Sequence, residues 1–313
     1  MSGPLVSVVI PAYNRAHTVA ETVDSVLGQT YGNLEVIVVD DGSKDGTQEV
    51  LRGYGARIKN VRQENAGQMV ARNRGIAEAR GEIVTFLDSD DIWLPTCVER
   101  HVSVLQRTGP EVPCSLANGW LEFSDGRRTT SFENSALETL LEEGLWVNVP
   151  EILPTRFVMF CQFVAIRREA LKIVRGFDED LEFMEDYALP LRLSLLGPWG
   201  FIREPLVVWR QGAADSASVS QRALKQARPL KESLLIIRKR YLGEIAGQAR
   251  YDSVRKLQER ELWHNQLELR AMDLHDRGPG ILGDLLLNAV RIRKAIHRRL
   301  PGFARMKVAR LDR

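Results

Sequence analysis

The chain of 313 residues is 44% hydrophobic and 27% charged, a globular mixture with material for one large domain and a smaller extension. Its formal net charge of +2 excludes a whole-protein role in binding nucleic acid on electrostatic grounds. Its three cysteines, Cys97, Cys114 and Cys161, are odd in number and widely spaced, which excludes a disulfide framework or a zinc site and points to a reducing compartment.

The first hundred residues alternate between apolar runs and helical patterns. Residues 5–11 read as a buried strand. Thr18 and Glu21 have capping-box spacing and open a helix to about Gln29. Residues 34–40 (LEVIVVD) form a second buried strand that ends in the turn-rich DDGSKDGT, and a short helix follows from Thr47. Residues 58–62 read as a weaker strand, 68–80 as a helix stopped by Gly81, and 82–88 (EIVTFLD) as another apolar strand. Near-continuous Val, Ile and Leu in strands each followed by a helix imply a parallel sheet covered on both faces. From 110 to 154 the pattern is irregular, with a short helix predicted at 135–143. Periodicity returns in a strand at 163–167 and a helix from Glu185, where Pro190 suits the first turn better than the interior. A strand around 201–210 is expected to close the sheet. Beyond Ala213 the chain reads as helices at 220–241, 248–276 and 281–299. The expected division is 1–213, a catalytic domain with halves 1–109 and 110–213, and 214–313, a helical basic extension.

In such sheets ligands bind outside the carboxyl ends of the strands. Three strands deliver polar residues there: Tyr13 and Asn14, then Asp40 and Asp41, then Asp88, Ser89, Asp90 and Asp91. Carboxylates as close as the last group repel unless a positive charge lies between them. A hard cation such as Mg²⁺ or Mn²⁺ would relieve that and would bind a substrate diphosphate. The cluster also fits a solvated acidic turn, or a cap for a helix starting near Pro95. No Walker lysine loop occurs, and no GxGxxG follows the first strand. A phosphate would then be held by metal, not by a glycine cradle.

Four segments carry a resemblance: VSVVIPAYNR at 6–15, VVDDGSKDGT at 38–47, ENAGQMVARNRGIAEARGEIVTFLDSDD at 64–91 and GFDEDLEFMEDYALPLRLSLLG at 176–197. In this order and spacing the chain resembles the family 2 glycosyltransferases of GT-A fold. The resemblance implies an α/β fold, a Rossmann-like mostly parallel sheet with helices on both faces, to which the helical extension is added. It implies a metal-dependent, inverting hexosyltransferase that uses a nucleotide-sugar donor, UDP-sugars being favoured.

The resemblance also implies roles. Pro11 and Tyr13 line the nucleobase and ribose pocket; Asp41 accepts a hydrogen bond from the base, and Asp40 orients the loop. Asn65 belongs to the donor pocket, and Arg72 with Asn73 braces the donor loop. Asp88-Ser89-Asp90 matches the DxD motif: Asp90 ligates the Mn²⁺ or Mg²⁺ that bridges the donor phosphates, and Asp88 holds the ribose or a metal-bound water. Of the pair Glu185-Asp186, Asp186 is the general base. Taken singly, Tyr13 fits a loop residue capping the sheet, Asp40 a turn-forming Asx residue, Arg72 and Asn73 a helix N-terminal network, and Glu185-Asp186 acids favoured at a helix start. Trp209 and Arg210 match an aromatic–Arg pair near the diphosphate, or a simple packing role for the ring. Val-Trp-Arg-Gln is not the QxxRW of processive synthases, which argues against a polymer-extruding machine.

Residues 291–313 hold nine Lys or Arg and one acid, Asp312. Leu282, Leu286, Ala289, Ile292, Ile296 and Leu300 recur at helical spacing, with Arg291, Lys294 and Arg298 opposite. Such a segment, 281–313, can lie on anionic lipid or pack on the catalytic domain or a second subunit. No apolar run approaches the ~18 residues that span a bilayer, and the apolar stretch 6–10 is too short for a signal peptide. The protein is therefore expected in the cytoplasm, able to sit peripherally on the cytoplasmic face of the membrane. The acceptor expected there is a bacterial-type surface glycan or lipid-linked glycan. A catalytically silent nucleotide-binding or scaffolding module, and a sugar nucleotidyltransferase, are the rival readings; PAYNRAH after the first strand lacks the latter's Gly-rich basic loop.

Overall fold

The computed structural model describes residues 3–155, 161–181, 184–211, 227–276 and 307–311. Its centre is an eleven-stranded sheet. The strands are β1 (Val6–Ala12), β2 (Leu34–Asp40), β3 (Lys59–Arg62), β4 (Ile83–Phe86), β5 (Ile92–Trp93), β6 (Cys114–Phe123), β7 (Arg128–Thr130), β8 (Glu143–Trp146), β9 (Val164–Arg167), β10 (Trp199–Gln211) and β11 (Val308–Ala309). The order across the sheet is β11-β8-β10-β6-β9-β4-β1-β2-β3, with β5 on β10 and β7 on β6. Strands β1, β2, β3, β4, β6, β10 and β11 run in one direction, and β5, β7, β8 and β9 in the other.

All seven residues of β1 are buried, as an apolar strand covered on both faces requires. Ser7 is the polar exception, and its hydroxyl donates to Glu35 Oε1 and accepts from Gly81 N. Pro11 is tolerated in this central strand for a local reason. Leu87 N donates to Val9 O, and Asp41 N to Ala12 O. By alternation Pro11 therefore faces the β4 side, where the ladder has already ended at Phe86 opposite Val9.

Helices α1 (Val19–Leu27), α2 (Thr47–Arg52), α3 (Gln68–Glu78) and α4 (Cys97–Gln106) cover the first half. Short helices α5 (Ser131–Asn134) and α6 (Val149–Ile152), then α7 (Arg168–Val174) and α8 (Glu185–Ser194), follow in the second. An antiparallel pair, α9 (Ala227–Ile245) and α10 (Asp252–Asp276), forms the described part of the extension. Arg238 donates to Gln258 within this pair at 2.8 Å. Tyr251 donates to Leu195 O at 3.1 Å, and Arg240 pairs with Asp180, so the extension is docked on the end of α8 and on the turn that precedes it. Residues 307–311 return to the sheet edge, where β11 pairs with β8 and Lys307 N donates to Asn148 Oδ1 at 2.7 Å.

Several expectations are corrected. The capping box at Thr18 and Glu21 does not form: Thr18 makes no side-chain cap, because Glu21 is drawn to Arg210, 189 residues away. A capping box forms instead at Thr130 and Glu133, which opens α5. The helix expected at 135–143 is absent; the helix precedes it at 131–134, and Glu143 begins a strand. The irregular 110–154 region contains β6, which sits inside the sheet between β10 and β9. Its Asn118-Gly119 reads as a turn, yet both residues serve the strand. A Cβ at Gly119 would lie 2.3 Å from the Phe163 ring, and Asn118 Oδ1 accepts from Ser131 Oγ and Phe132 N. Strand β10 does not close the sheet but runs through its interior, flanked by β8 and β6. Pro190 lies inside α8, not in its first turn. The 281–299 helix lies outside the described residues.

Candidate active site

The carboxyl ends of β1, β2 and β4 meet at one edge, and the loops that follow are stitched together by side chains. After β1, Asn14 takes a left-handed backbone, φ 52°, which asparagine tolerates better than most residues. Its N–H donates to Ser43 Oγ, and its Oδ1 accepts from Lys44 N, both at 2.9 Å. Arg15 N donates to Thr47 Oγ1 at 2.8 Å, and Ala16 N to Asp45 Oδ2 at 3.1 Å. Beside this rigid pair of loops the Tyr13 ring is 41% exposed.

Asp40 is buried. It accepts from Ser43 N at 2.9 Å and from Gln48 Nε2 at 2.5 Å, with Arg62 Nε 3.6 Å away. These bonds hold the DDGS turn. Asp41 receives four donors: Gln63 Nε2 (2.8 Å), Ala66 N (2.9 Å), Gly67 N (2.9 Å) and Asn65 Nδ2 (3.3 Å). A carboxylate has about four acceptor directions, so Asp41 is saturated and pins the turn that starts α3. The longest of these is the bond from Asn65. Asn65 itself also donates to Asp41 O at 3.0 Å. It is thus placed against the acid expected to read the base.

The third cluster follows β4. Asp88 Oδ1 accepts from Arg72 Nη2 at 2.6 Å and from Gln68 Nε2 at 3.0 Å. Ser89 is buried. Asp90 Oδ2 has the Arg15 guanidinium 3.5 Å away, beyond good hydrogen-bond distance for a charged pair. Burial and then the neighbouring Asp88 raise the Asp90 pKa, with Arg15 partly opposing. Asp91 is buried. Burial first, then Asp88 and Asp90, push its pKa well up. Its Oδ1 accepts from Arg210 N at 3.0 Å, while Oδ2 has no partner.

Three acids within four residues therefore carry negative charge that the protein compensates incompletely. Hard oxygen donors short of positive charge fit Mg²⁺ or Mn²⁺. Among the described residues no group of three His, Cys, Asp or Glu side chains forms a protein-only cage.

Two arginines shape this site: Arg210, expected near the diphosphate, and Arg15, for which the sequence offered no role. Arg210, at the end of β10, forks onto Glu21 at 2.7 and 3.0 Å while its N–H holds Asp91. The neighbouring Trp209 lies edge-on to Phe123, ring centroids 6.4 Å apart. Arg15 is the nearest cation to Asp90, and its only sequence signal is its place directly after Tyr13-Asn14. Asn73 departs from expectation. It does not brace the donor loop but bonds the backbone of Phe177, 104 residues away, because its position on α3 points it across to the second half. Glu185 and Asp186 open α8 behind Met184, whose backbone is left-handed at φ 62°. That places both acids in the first helical turn, where the macrodipole favours negative charge. Their side chains lie outside the described set.

The description "Glycosyl transferase family 2" matches residues 7–174, just over half of the chain. An uncharacterised glycosyltransferase of Rickettsia typhi is 30% identical over 235 residues, 74% of this chain and 72% of the relative. A stretch of 107 residues, 34% of this chain, is 43% identical to 42% of an Escherichia coli protein, WfgD, described as a UDP-Glc:alpha-D-GlcNAc-diphosphoundecaprenol beta-1,3-glucosyltransferase. The fold is similar to that of S. aureus TarS 1–349 in complex with UDP-GlcNAc, with TM-score 0.66 and 18% identity, over 91% of this chain and 79% of that one; a longer TarS chain is covered over 53% of its length. The strand-end carboxylates, the sheet that presents them and the matched sequence agree: the chain belongs to glycosyl transferase family 2.

Proposed function

We propose that this chain transfers a hexosyl group from a nucleoside-diphosphate sugar to an acceptor hydroxyl with inversion, using Mn²⁺ or Mg²⁺ at Asp90 and Asp88. The observation that carries the reading is the acidic turn after β4, where burial and neighbouring carboxylates raise the pKa of Asp90 and Asp91, at the strand edge beside an exposed Tyr13. A UDP-sugar is favoured, as TarS is described with UDP-GlcNAc and WfgD as acting with UDP-Glc. A lipid-linked glycan is favoured as acceptor, in line with the diphosphoundecaprenol substrate in the name of WfgD.

The Tyr13 ring offers a face for the base, and Pro11 closes the β1 side of that pocket. Asp40 and Asp41 keep the two loops in register, and Ser89 is buried beside Asp88 and Asp90 in the chain. When bound, the metal supplies positive charge against the charge developing on the departing diphosphate. Asp186 takes the proton of the acceptor hydroxyl, whose oxygen attacks the anomeric carbon from the face opposite the nucleotide. The sugar–phosphate C–O bond breaks with its electron pair on the diphosphate, and the configuration inverts. Asp186 and its neighbour Glu185 stand in the first turn of α8, where the helix dipole favours negative charge.

Basic residues in 281–313 would bring the enzyme to an anionic membrane surface, each contributing about 1 kcal/mol. Lys307 and Arg310, which flank β11, are exposed. Among the described residues no helix is long and apolar enough to cross a membrane. The extension is also where a second copy would associate.

Calorimetric titration of UDP, GDP and dTDP, with and without Mn²⁺, tests the donor site against Asp90→Asn. Metal-dependent binding of one nucleotide, lost in the variant, is expected. No binding of any would favour a silent module of the same fold. Retention of configuration in the product would remove the single-displacement mechanism.

A further inference from the structure

We infer that Arg72 and Asn73, adjacent on α3, couple the donor-side carboxylate Asp88 to the segment carrying Asp186, so that filling the donor site fixes the position of the base. This rests on the reading in which Asp88 faces the donor and Asp186 is the base.

Arg72 is buried and bonds Asp88 Oδ1 at 2.6 Å, and the same guanidinium stacks 5.4 Å above the centroid of the Phe177 ring. The Phe177 ring in turn meets Phe86 edge-on, with centroids 5.2 Å apart. Phe86 ends β4, two residues before Asp88, so the Phe177 ring is held from both directions by the donor half. Asn73 closes the backbone of that residue. Its Nδ2 donates to Phe177 O, and Phe177 N donates to its Oδ1, both at 2.9 Å. Only glycine allows this approach at the preceding position: Gly176 has φ +66°, and a Cβ there would stand 2.6 Å from Asn73 Oδ1.

The same turn is tied forward to α8. Arg192, in the last turn of that helix, bonds Asp178 Oδ2 at 2.5 Å and Gly176 O at 2.6 Å. Asp186 is therefore on a helix whose far end grips the turn that α3 grips from the other side. The path from Asp88 to α8 runs through one buried cation, one aromatic ring and two pairs of directional, part-buried bonds. A ligand that changes how Asp88 shares Arg72 changes the cation facing Phe177. That is the differential contact on which coupling between sites depends.

The test uses the full chain with UDP and Mn²⁺ as the probe and amide hydrogen exchange of 176–190 as the readout, which needs no turnover. In the unaltered protein the probe should slow exchange there about fivefold, the lower end of ordinary coupling between sites. In Asn73→Ala that slowing should vanish while the UDP dissociation constant, measured by calorimetry, changes less than about threefold. Arg240→Ala loosens the same turn from the side of the extension; basal exchange should rise, with the slowing by UDP retained. A merely structural role for Asn73 would make both variants behave alike. If Asn73→Ala does not fold, Phe177→Leu removes the ring beneath Arg72 and carries the same expectation. Equal slowing in Asn73→Ala and the unaltered protein overturns the inference. So does an absence of slowing when calorimetry shows UDP bound. Failure of UDP to bind at all overturns the donor-site reading, and this one with it.

Discussion

Two acidic pairs, Asp40-Asp41 after β2 and Asp90-Asp91 after β4, look alike in sequence and are treated in opposite ways by the fold. Around Asp40 and Asp41 the chain gathers donors from its own loops, so both carboxylates are buried and answered. Around Asp90 and Asp91 it gathers other carboxylates, leaves one Asp91 oxygen without a partner and keeps one guanidinium at 3.5 Å. The first pair is scaffold. The second crowds carboxylates together, and a bound cation would relieve their repulsion.

The largest effect should come from the scaffold. Asp41→Ala leaves two backbone N–H groups and two amides without their acceptor and frees the start of α3. An unsatisfied donor costs about 1–3 kcal/mol; with solvent reaching this turn, a total near 3 kcal/mol is expected in urea unfolding. Loss of less than about 1 kcal/mol would mean the turn holds without Asp41.

Mn²⁺ should then separate the two pairs. At ten times its dissociation constant a cation stabilises the folded state by about 1.4 kcal/mol. The unaltered protein should gain that, and Asp90→Asn should not. A gain of equal size in the variant would place the metal elsewhere.

Asp91 gives a smaller and oppositely signed effect. Its folded pKa is raised by burial and by its two acidic neighbours. The folded state therefore holds this proton more tightly than the unfolded chain does. The associated stability is present below the ordinary Asp pKa of about 3.9 and is lost as pH rises through the folded value. Asp91→Asn retains an acceptor for Arg210 N and removes the charge. Without metal it should equal or exceed the unaltered protein near neutral pH and lose that part of the pH slope. A less stable variant at pH 7 would mean the charge is already compensated.

The contrast between the pairs also marks what the sequence could disclose. Strands β1, β2 and β4 were legible because both of their faces are largely buried and most of their positions are apolar. The carboxylates at their ends followed from that placement. Strand β6 was hidden, since Asn118-Gly119 carries a turn signal whose purpose, room for Phe163 and an acceptor for α5, exists only after the chain has folded. The Thr18–Glu21 capping box failed for a similar reason: a local partner lost to Arg210 from β10. Within the site, the difference between saturated Asp41 and undersupplied Asp91 depends on donors 22–26 and 119 residues away. No local pattern records such distances.

The weakest contact in the acidic cluster offers the finest test of the comparison. Arg15 lies 3.5 Å from Asp90, with about a quarter of each side chain exposed. Its guanidinium is further occupied by Tyr13 O and Asn14 O. A partly exposed pair of this kind is worth about 0.2–1 kcal/mol. If Arg15 is the protein's own counter-ion at a cation site, Arg15→Gln removes a competitor for Asp90. Mn²⁺ affinity without nucleotide should then rise by up to about fivefold, the same energy expressed as a binding ratio. UDP affinity in the presence of Mn²⁺ should fall or stay level, because a positive charge beside the diphosphate is gone. A fall in Mn²⁺ affinity on removing Arg15 would instead show that the guanidinium orders Asp90 for the metal and does not substitute for it. That would move Asp90 closer to the scaffold behaviour of Asp40.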